Sequence, residues 1–221
     1  MSAASRAPQR SIRTFQRTNS TNRARSRSRG RAVLLTCGAV VAALLLSACG
    51  SGGTSGGAGN TGFVTGSDGI ATVEKGNRTQ APDLSGKTID GKQLDVADYR
   101  GKIVVLNVWG SWCAPCRLEA KNFKKVSADL KDRGVQFVGI NTRDTSTGPA
   151  LAFEKAYGIT YPSLYDPTGR LLLRFKKGTL NPQAIPSTVI IDRDGKIASR
   201  SLQALSEEKL RKMLKPILAE K

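Results

Sequence analysis

Trp109-Gly110-Ser111-Trp112-Cys113-Ala114-Pro115-Cys116-Arg117 lies where an apolar run gives way to a helical pattern, and its reading decides the fold. Upstream, Ile103-Val104-Val105-Leu106 is unbroken, as expected of a strand from Lys102 to Trp109 buried on both faces. Downstream, residues 114–132 carry Leu118, Phe123, Val126 and Leu130 broadly on one helical face, with Gly134 as a stop. Cys113 then falls at a helix N-terminus, where unpaired amide protons and the macrodipole stabilise a thiolate. Cys116, three residues on, shares that face, lies within disulfide reach and is expected to be the less exposed. Pro115 is tolerated because the first helical residues have no amide partner to lose.

Composition narrows what this pair does. Histidine is absent from the 221 residues, which removes Ser-His and Cys-His pairs and any histidine-built zinc, copper or haem site. Zinc needs four ligands, and this part of the chain offers two cysteines. A c-type haem needs histidine where Arg117 stands. A purely structural disulfide stays as the bland alternative. A C-x-x-C beside a β-α-β pattern reads instead as a thioredoxin-like redox pair, with no metal and no cofactor.

The surrounding pattern is that of one domain over residues 81–221. Asp83 to Val96, with Asp90-Gly91-Lys92 at its middle, predicts a hairpin. Val135 to Ile140 is a second buried strand, followed by a helix over 147–157 carrying Leu151, Phe153 and Tyr157. Pro162 to Asp166 is extended, Pro167 to Lys177 is a helical or turn insert, and residues 188–192 and 196–202 are strands turning at Asp194-Gly195. Ser206 caps a last helix with Glu207 and Glu208 in its first turn and Leu210, Leu214, Ile217 and Leu218 on one side. Alternation followed by an antiparallel end predicts an α/β fold, a mixed sheet covered by helices.

The net charge of +18 suggests nucleic acid until its position is considered. Nine arginines lie in the first 31 residues, and Ala32 to Ala48 follows without a charge. A basic stretch, an apolar run and a small-residue site predict a secretory signal over 1–48; the run is also long enough for an uncleaved anchor. Leu46-Ser47-Ala48-Cys49 at its end resembles a bacterial lipobox, in which Cys49 becomes the lipidated first residue. Cleavage there leaves +9 over 173 residues, suited to an anionic membrane surface rather than to nucleic acid. Residues 49–80 read as a tether: seven glycines between Gly50 and Gly62, then an extended lead-in over 63–80.

The chain resembles the membrane-tethered, thioredoxin-fold thiol-disulfide oxidoreductases of the TlpA/ResA type over about residues 81–202. The likeness rests on Ala81-Pro82-Asp83-Leu84, the Asp90-Gly91-Lys92 turn and Tyr99-Arg100-Gly101-Lys102. It continues through Val105-Leu106-Asn107-Val108-Trp109 with Trp112-Cys113-Ala114-Pro115-Cys116-Arg117, and through Ile185-Pro186-Ser187-Thr188. It implies a mixed central sheet flanked by helices, with an N-terminal hairpin and a central insert. It also implies dithiol-disulfide exchange by Cys113 and Cys116, with Trp112, Ile185 and Pro186 at the substrate face. Pro186 matches the family's cis-proline, although the residues alone equally suit a proline at a strand start.

Glu119 matches the family's buried acid that exchanges a proton with the resolving cysteine, although the residues alone favour a solvated helix glutamate. Asn107 stands where thioredoxins proper carry a buried aspartate. The family often has proline two residues after the glutamate; here Lys121 predicts a straighter helix. The implied partners are protein thiols and disulfides, apocytochrome c foremost, and a membrane thiol reductase as electron donor. A general oxidase or reductase of exported proteins is the alternative. A peroxiredoxin would want threonine where Gly110 stands, and a non-catalytic interaction module remains the bland option.

Overall fold

A computed structural model describes residues 61–220. The signal, Cys49 and the first part of the glycine-rich tether lie outside the described residues. Among the described residues no helix is long and apolar enough to cross a membrane.

The centre is β5 (Ile103–Trp109), every residue of which is buried. It pairs in parallel with β6 (Val135–Thr142) and antiparallel with β8 (Ser187–Ile191). Beyond β6 lies β7 (Ser163–Asp166), parallel, and beyond β8 lies β9 (Ile197–Ser201), antiparallel. The predicted hairpin forms as a separate ribbon, β3 (Ser85–Lys87) with β4 (Gln93–Asp95). Three helices complete the fold: α1 (Ala114–Leu130), α2 (Thr147–Tyr157) and α3 (Glu207–Ala219). Ser206 caps α3 as expected, its hydroxyl accepting from the Lys209 amide at 3.2 Å.

Alternation along β5 assigns its two faces. Ile103 and Val105 pack with Phe123, Val126 and Leu130 of α1 and with Leu210, Leu214 and Ile217 of α3. Val104, Leu106 and Val108 pack on the opposite face with Leu84, Leu164, Leu171 and Phe175. A third cluster, Trp109, Cys113, Cys116, Ala120, Ala150 and Phe153, joins the ends of β5, α1 and α2. Asn107 stands on the α1 face between Val105 and Trp109, which places a buried amide under the helix that carries the cysteines.

Three expectations need correction. The lead-in over 63–80 is not simply extended: β1 (Val64–Thr65) and β2 (Ile70–Thr72) add two strands to the sheet, giving the order β1-β2-β9-β8-β5-β6-β7. Ile70, Ala71 and Val73 are buried there, and short strands among glycines leave too little periodicity to read. Arg78 closes this segment onto the C-terminus, at 2.9 Å from Asp192 and 2.6 Å from Glu220. Secondly, Leu118 does not belong to the buried face of α1; it is 78 % exposed, while Glu119 is buried. Thirdly, Leu151 of α2 is exposed and Ala150 takes its place in the core, whereas Met213 of α3 is buried beside the expected leucines.

Candidate functional site

The redox motif forms at the junction of β5 and α1. Cys113 is the N-cap of α1, with extended backbone angles, and its sulfur accepts the Cys116 amide at 3.2 Å. An N-cap acceptor takes up one of the orphan amides of the first turn, and a thiolate there gains from the same donor and from the helix dipole. The two cysteines form a disulfide across a Cα–Cα distance of 5.3 Å. Both are buried in this oxidised form, so the expected difference in exposure between them is not present.

Glu119 lies one turn after Cys116 on the buried face of α1 and is 2 % exposed. One carboxylate oxygen accepts from Asn107 Nδ2 at 2.8 Å and the other from the Leu205 amide at 2.9 Å. Burial disfavours the charged form and pushes the carboxyl up to about 7, against the pull of those two donors. A carboxyl that titrates near neutrality is suited to taking and returning a proton. Thus Asn107, in the strand, serves to orient the acid in the helix.

A second carboxyl behaves similarly. Glu154 of α2 accepts from Ser163 Oγ at 2.7 Å, and burial pushes it up to about 7 as well. Trp109 Nε1 donates to the same serine oxygen at 3.3 Å, and its ring stacks on Phe153. This chain fixes the tryptophan that walls the cysteine cluster.

The Ile185–Pro186 peptide is cis, and Ile185 packs against the cluster that holds Cys113 and Cys116. Ile185 takes no part in the backbone–backbone bonds of the described residues, leaving an N–H and a carbonyl beside the disulfide. Trp112 is half exposed, and its indole N–H donates to the Thr142 carbonyl at 3.3 Å. Gly110 permits that fold-back: a Cβ on it would lie 2.5 Å from Trp112 Nε1 and 3.0 Å from the Thr142 carbonyl oxygen. Gly110→Ala is therefore expected to displace the indole, at a cost of about 1–3 kcal/mol by overpacking. Trp112 fluorescence and urea denaturation would show it; an unchanged spectrum and midpoint would refute the contact.

Thus the structure brings Trp112, Cys113, Cys116, Glu119, Ile185 and Pro186 to one end of β5. The sequence reading missed Asp144. This buried aspartate accepts from the Ser111 amide at 2.9 Å, Ser111 Oγ at 2.5 Å and Asn141 Nδ2 at 2.6 Å. The available signal was topological: β5 and β6 are parallel neighbours, so residues following β6 lie beside the motif following β5. Among the described residues no group of histidine, cysteine, aspartate and glutamate could hold a metal ion.

Residues 78–200 match the AhpC/TSA family. The chain is 28 % identical over 138 residues to the thiol-disulfide oxidoreductase ResA of Bacillus thuringiensis, covering 62 % of this chain and 76 % of that protein. Among solved structures, a DsbF homologue from Corynebacterium diphtheriae matches with a TM-score of 0.64 at 34 % identity, over 69 % of this chain and 96 % of that one. A secreted thiol-disulfide isomerase from Corynebacterium glutamicum matches with a TM-score of 0.64 at 29 % identity, over 69 % and 93 % of the two chains.

Proposed function

This chain belongs to the AhpC/TSA family, has a thioredoxin-like fold and is a thiol-disulfide oxidoreductase, and from that premise we propose that it is an extracytoplasmic protein-disulfide reductase. The observation that carries the exchange chemistry is the buried Glu119 set behind the Cys113–Cys116 pair, and the resemblance to ResA-type oxidoreductases supports reduction as its direction. In the reduced protein, the Cys113 thiolate attacks one sulfur of a substrate disulfide. A mixed disulfide forms and one substrate thiolate leaves. Glu119 takes the proton of Cys116, whose thiolate then attacks Cys113 Sγ and releases the second substrate thiolate. Two electrons pass to the substrate, and the Cys113–Cys116 disulfide remains, to be reduced by an external dithiol.

The substrate class we propose is an exported protein whose paired cysteines must stay open for haem attachment, as in apocytochrome c. The resemblance to ResA-type oxidoreductases supports that reading. The basic leader, the apolar run and the lipobox-like Leu46-Ser47-Ala48-Cys49 support export of the domain and its attachment by lipid at Cys49 to the outer face of the cell membrane. In this reading residues 49–60 are the tether, and the electron donor is a thiol reductase of the same membrane.

Cys116→Ala tests both the step and the substrate. Without a resolving thiol the mixed disulfide on Cys113 is expected to persist, so non-reducing electrophoresis of whole cells should show adducts that dithiothreitol abolishes. Adducts containing a c-type cytochrome precursor are the expected result. Adducts confined to other exported proteins would overturn the substrate, and the absence of any adduct would overturn the exchange step.

A further inference from the structure

The residues at the end of β6 and just after it touch both halves of the site, and no step of the exchange chemistry uses them. Thr142 accepts the Trp112 indole N–H through its carbonyl. Asp144 holds the Ser111 amide and hydroxyl through its carboxylate, and its own carbonyl accepts Tyr165 OH at 3.0 Å. Both contacts fix the loop that leads into Cys113. Arg143, between them, reaches the other way. Its Nη2 donates to the Pro182 carbonyl at 2.7 Å and to Gln183 Oε1 at 2.8 Å, three and two residues before Ile185. The same guanidinium lies over the Trp112 ring, 5.9 Å from its centroid.

The backbone of Arg143 adds a second, independent sign. Its φ is +60°, the sole positive value at a residue other than glycine among the described residues. An L-residue there is strained, and such conformations persist where the surroundings over-determine them and cluster at functional sites. Here the surroundings are identifiable. The flanking residues are held inward by Trp112 and Ser111, and the left-handed turn between them sends the Arg143 side chain out across Trp112 to Pro182 and Gln183. One guanidinium nitrogen makes both donations while the planar group lies over the indole face; a lysine ammonium has donors enough but is shorter in reach and has no plane to stack.

We propose that Arg143, between the Thr142 and Asp144 contacts to the Cys113 loop, is a positioning residue that holds that loop and the Ile185–Pro186 loop at a fixed offset for protein substrates. Disulfide exchange needs the substrate sulfur in line with Cys113 Sγ, near contact distance. An extended substrate segment that pairs with the open Ile185 backbone is placed by one loop and attacked from the other. The tie through Arg143 sets the distance between the two. A small disulfide has no segment to lay along Ile185, and depends on the thiolate alone. The residue thus acts on selection between protein and small disulfides.

The inference rests on exchange chemistry at Cys113. The test compares reduced wild-type protein with Arg143→Gly and Arg143→Lys, measuring second-order rate constants for insulin and for hydroxyethyl disulfide, a small neutral probe. Glycine accepts the +60° backbone at no steric cost, so this variant removes the side chain while retaining the turn. Thermal denaturation checks that it is folded. The insulin-to-small-disulfide rate ratio is expected to fall about tenfold in Arg143→Gly, the size of effect that a sub-ångström to ångström misplacement produces. Arg143→Lys, which retains the charge, is expected to recover only part of the ratio. A wild-type ratio in Arg143→Gly, or full recovery in Arg143→Lys, would overturn the positioning role. Either result leaves the exchange reading intact, whereas that reading fails separately if insulin reduction survives loss of the Cys113 thiol.

Discussion

Cys113→Ser is expected to reduce catalysed insulin reduction by at least about 10³-fold, to the rate of the external dithiol alone. The nucleophile in exchange is a thiolate, and its rate follows both the thiolate fraction and the leaving group on the attacked sulfur. A serine hydroxyl at the N-cap is essentially never ionised near neutrality, and sulfur–oxygen exchange forms no stable mixed product. The helix donor that faces Cys113 Sγ at 3.2 Å then stabilises a group with no reaction to perform. Cys116→Ser is expected to differ in kind: the first attack proceeds once, and turnover stops at the mixed disulfide. Turbidity of precipitating insulin chains reads the first, and a single-turnover adduct on electrophoresis reads the second. Substantial steady-state activity in Cys113→Ser would refute exchange at this pair. Because a peroxiredoxin is the alternative enzyme class for this sequence, hydrogen peroxide consumption belongs in the same assay. Gly110 supplies no hydroxyl where a peroxide-reducing cysteine would want a threonine, so peroxide is expected to disappear no faster than with free dithiol.

The redox half of the site was legible because its signals are local. An unbroken apolar strand, a proline in the first helical turn and two cysteines three apart specify strand, cap and helix within about fifteen residues. The central strand, the hairpin and the capped last helix were legible for the same reason, and all three occur. What the residues by themselves do not show are features that depend on contacts distant in sequence, and for Glu119 and Pro186 it was the family resemblance that supplied them. Glu119 reads as a solvated helix residue until the β9–α3 loop brings the Leu205 amide to it, 86 positions away. Leu118 reads as core until its neighbour takes the inward position, because the apolar residues alone suggest one helix phase and the buried carboxylate breaks it. Asp144 and Arg143 carry no periodic signal, and their meaning comes from parallel pairing of β5 with β6 and from the loop before Pro186. The two strands of the lead-in are two and three residues long, below what alternation reveals.

Glu119→Gln is expected to make the protein more stable at alkaline pH and slower in turnover, a combination that separates a proton-exchanging acid from a structural one. The carboxyl is raised from 4.5 to about 7 on folding. Between those values the folded protein binds a proton that the unfolded chain has released, so protonation favours the fold. That contribution is fully present below pH 4.5 and is lost as the pH rises through about 7. By linkage the loss is on the order of 3 kcal/mol at pH 8, from about 1.36 kcal/mol per unit. Glutamine does not ionise. Its Oε1 can accept the Leu205 amide, and its Nε2 can donate to Asn107 once that amide turns over, so both buried partners stay satisfied. The variant should therefore gain on the order of 1–3 kcal/mol over wild type at pH 8 and differ by less than about 1 kcal/mol at pH 5. Glu154 is common to both proteins and cancels in the comparison. In kinetics the order reverses. Resolution of the mixed disulfide needs the Cys116 proton to leave, and general-base assistance is commonly worth 10²-fold or more. Wild-type resolution should rise with pH around a midpoint near 7, whereas the variant should be slower by about 10–100-fold near neutrality and lack that midpoint. Urea denaturation at the two pH values and stopped-flow release of the substrate thiol measure the two halves. A variant less stable at pH 8, or one retaining the wild-type pH profile, would remove Glu119 from the proton path.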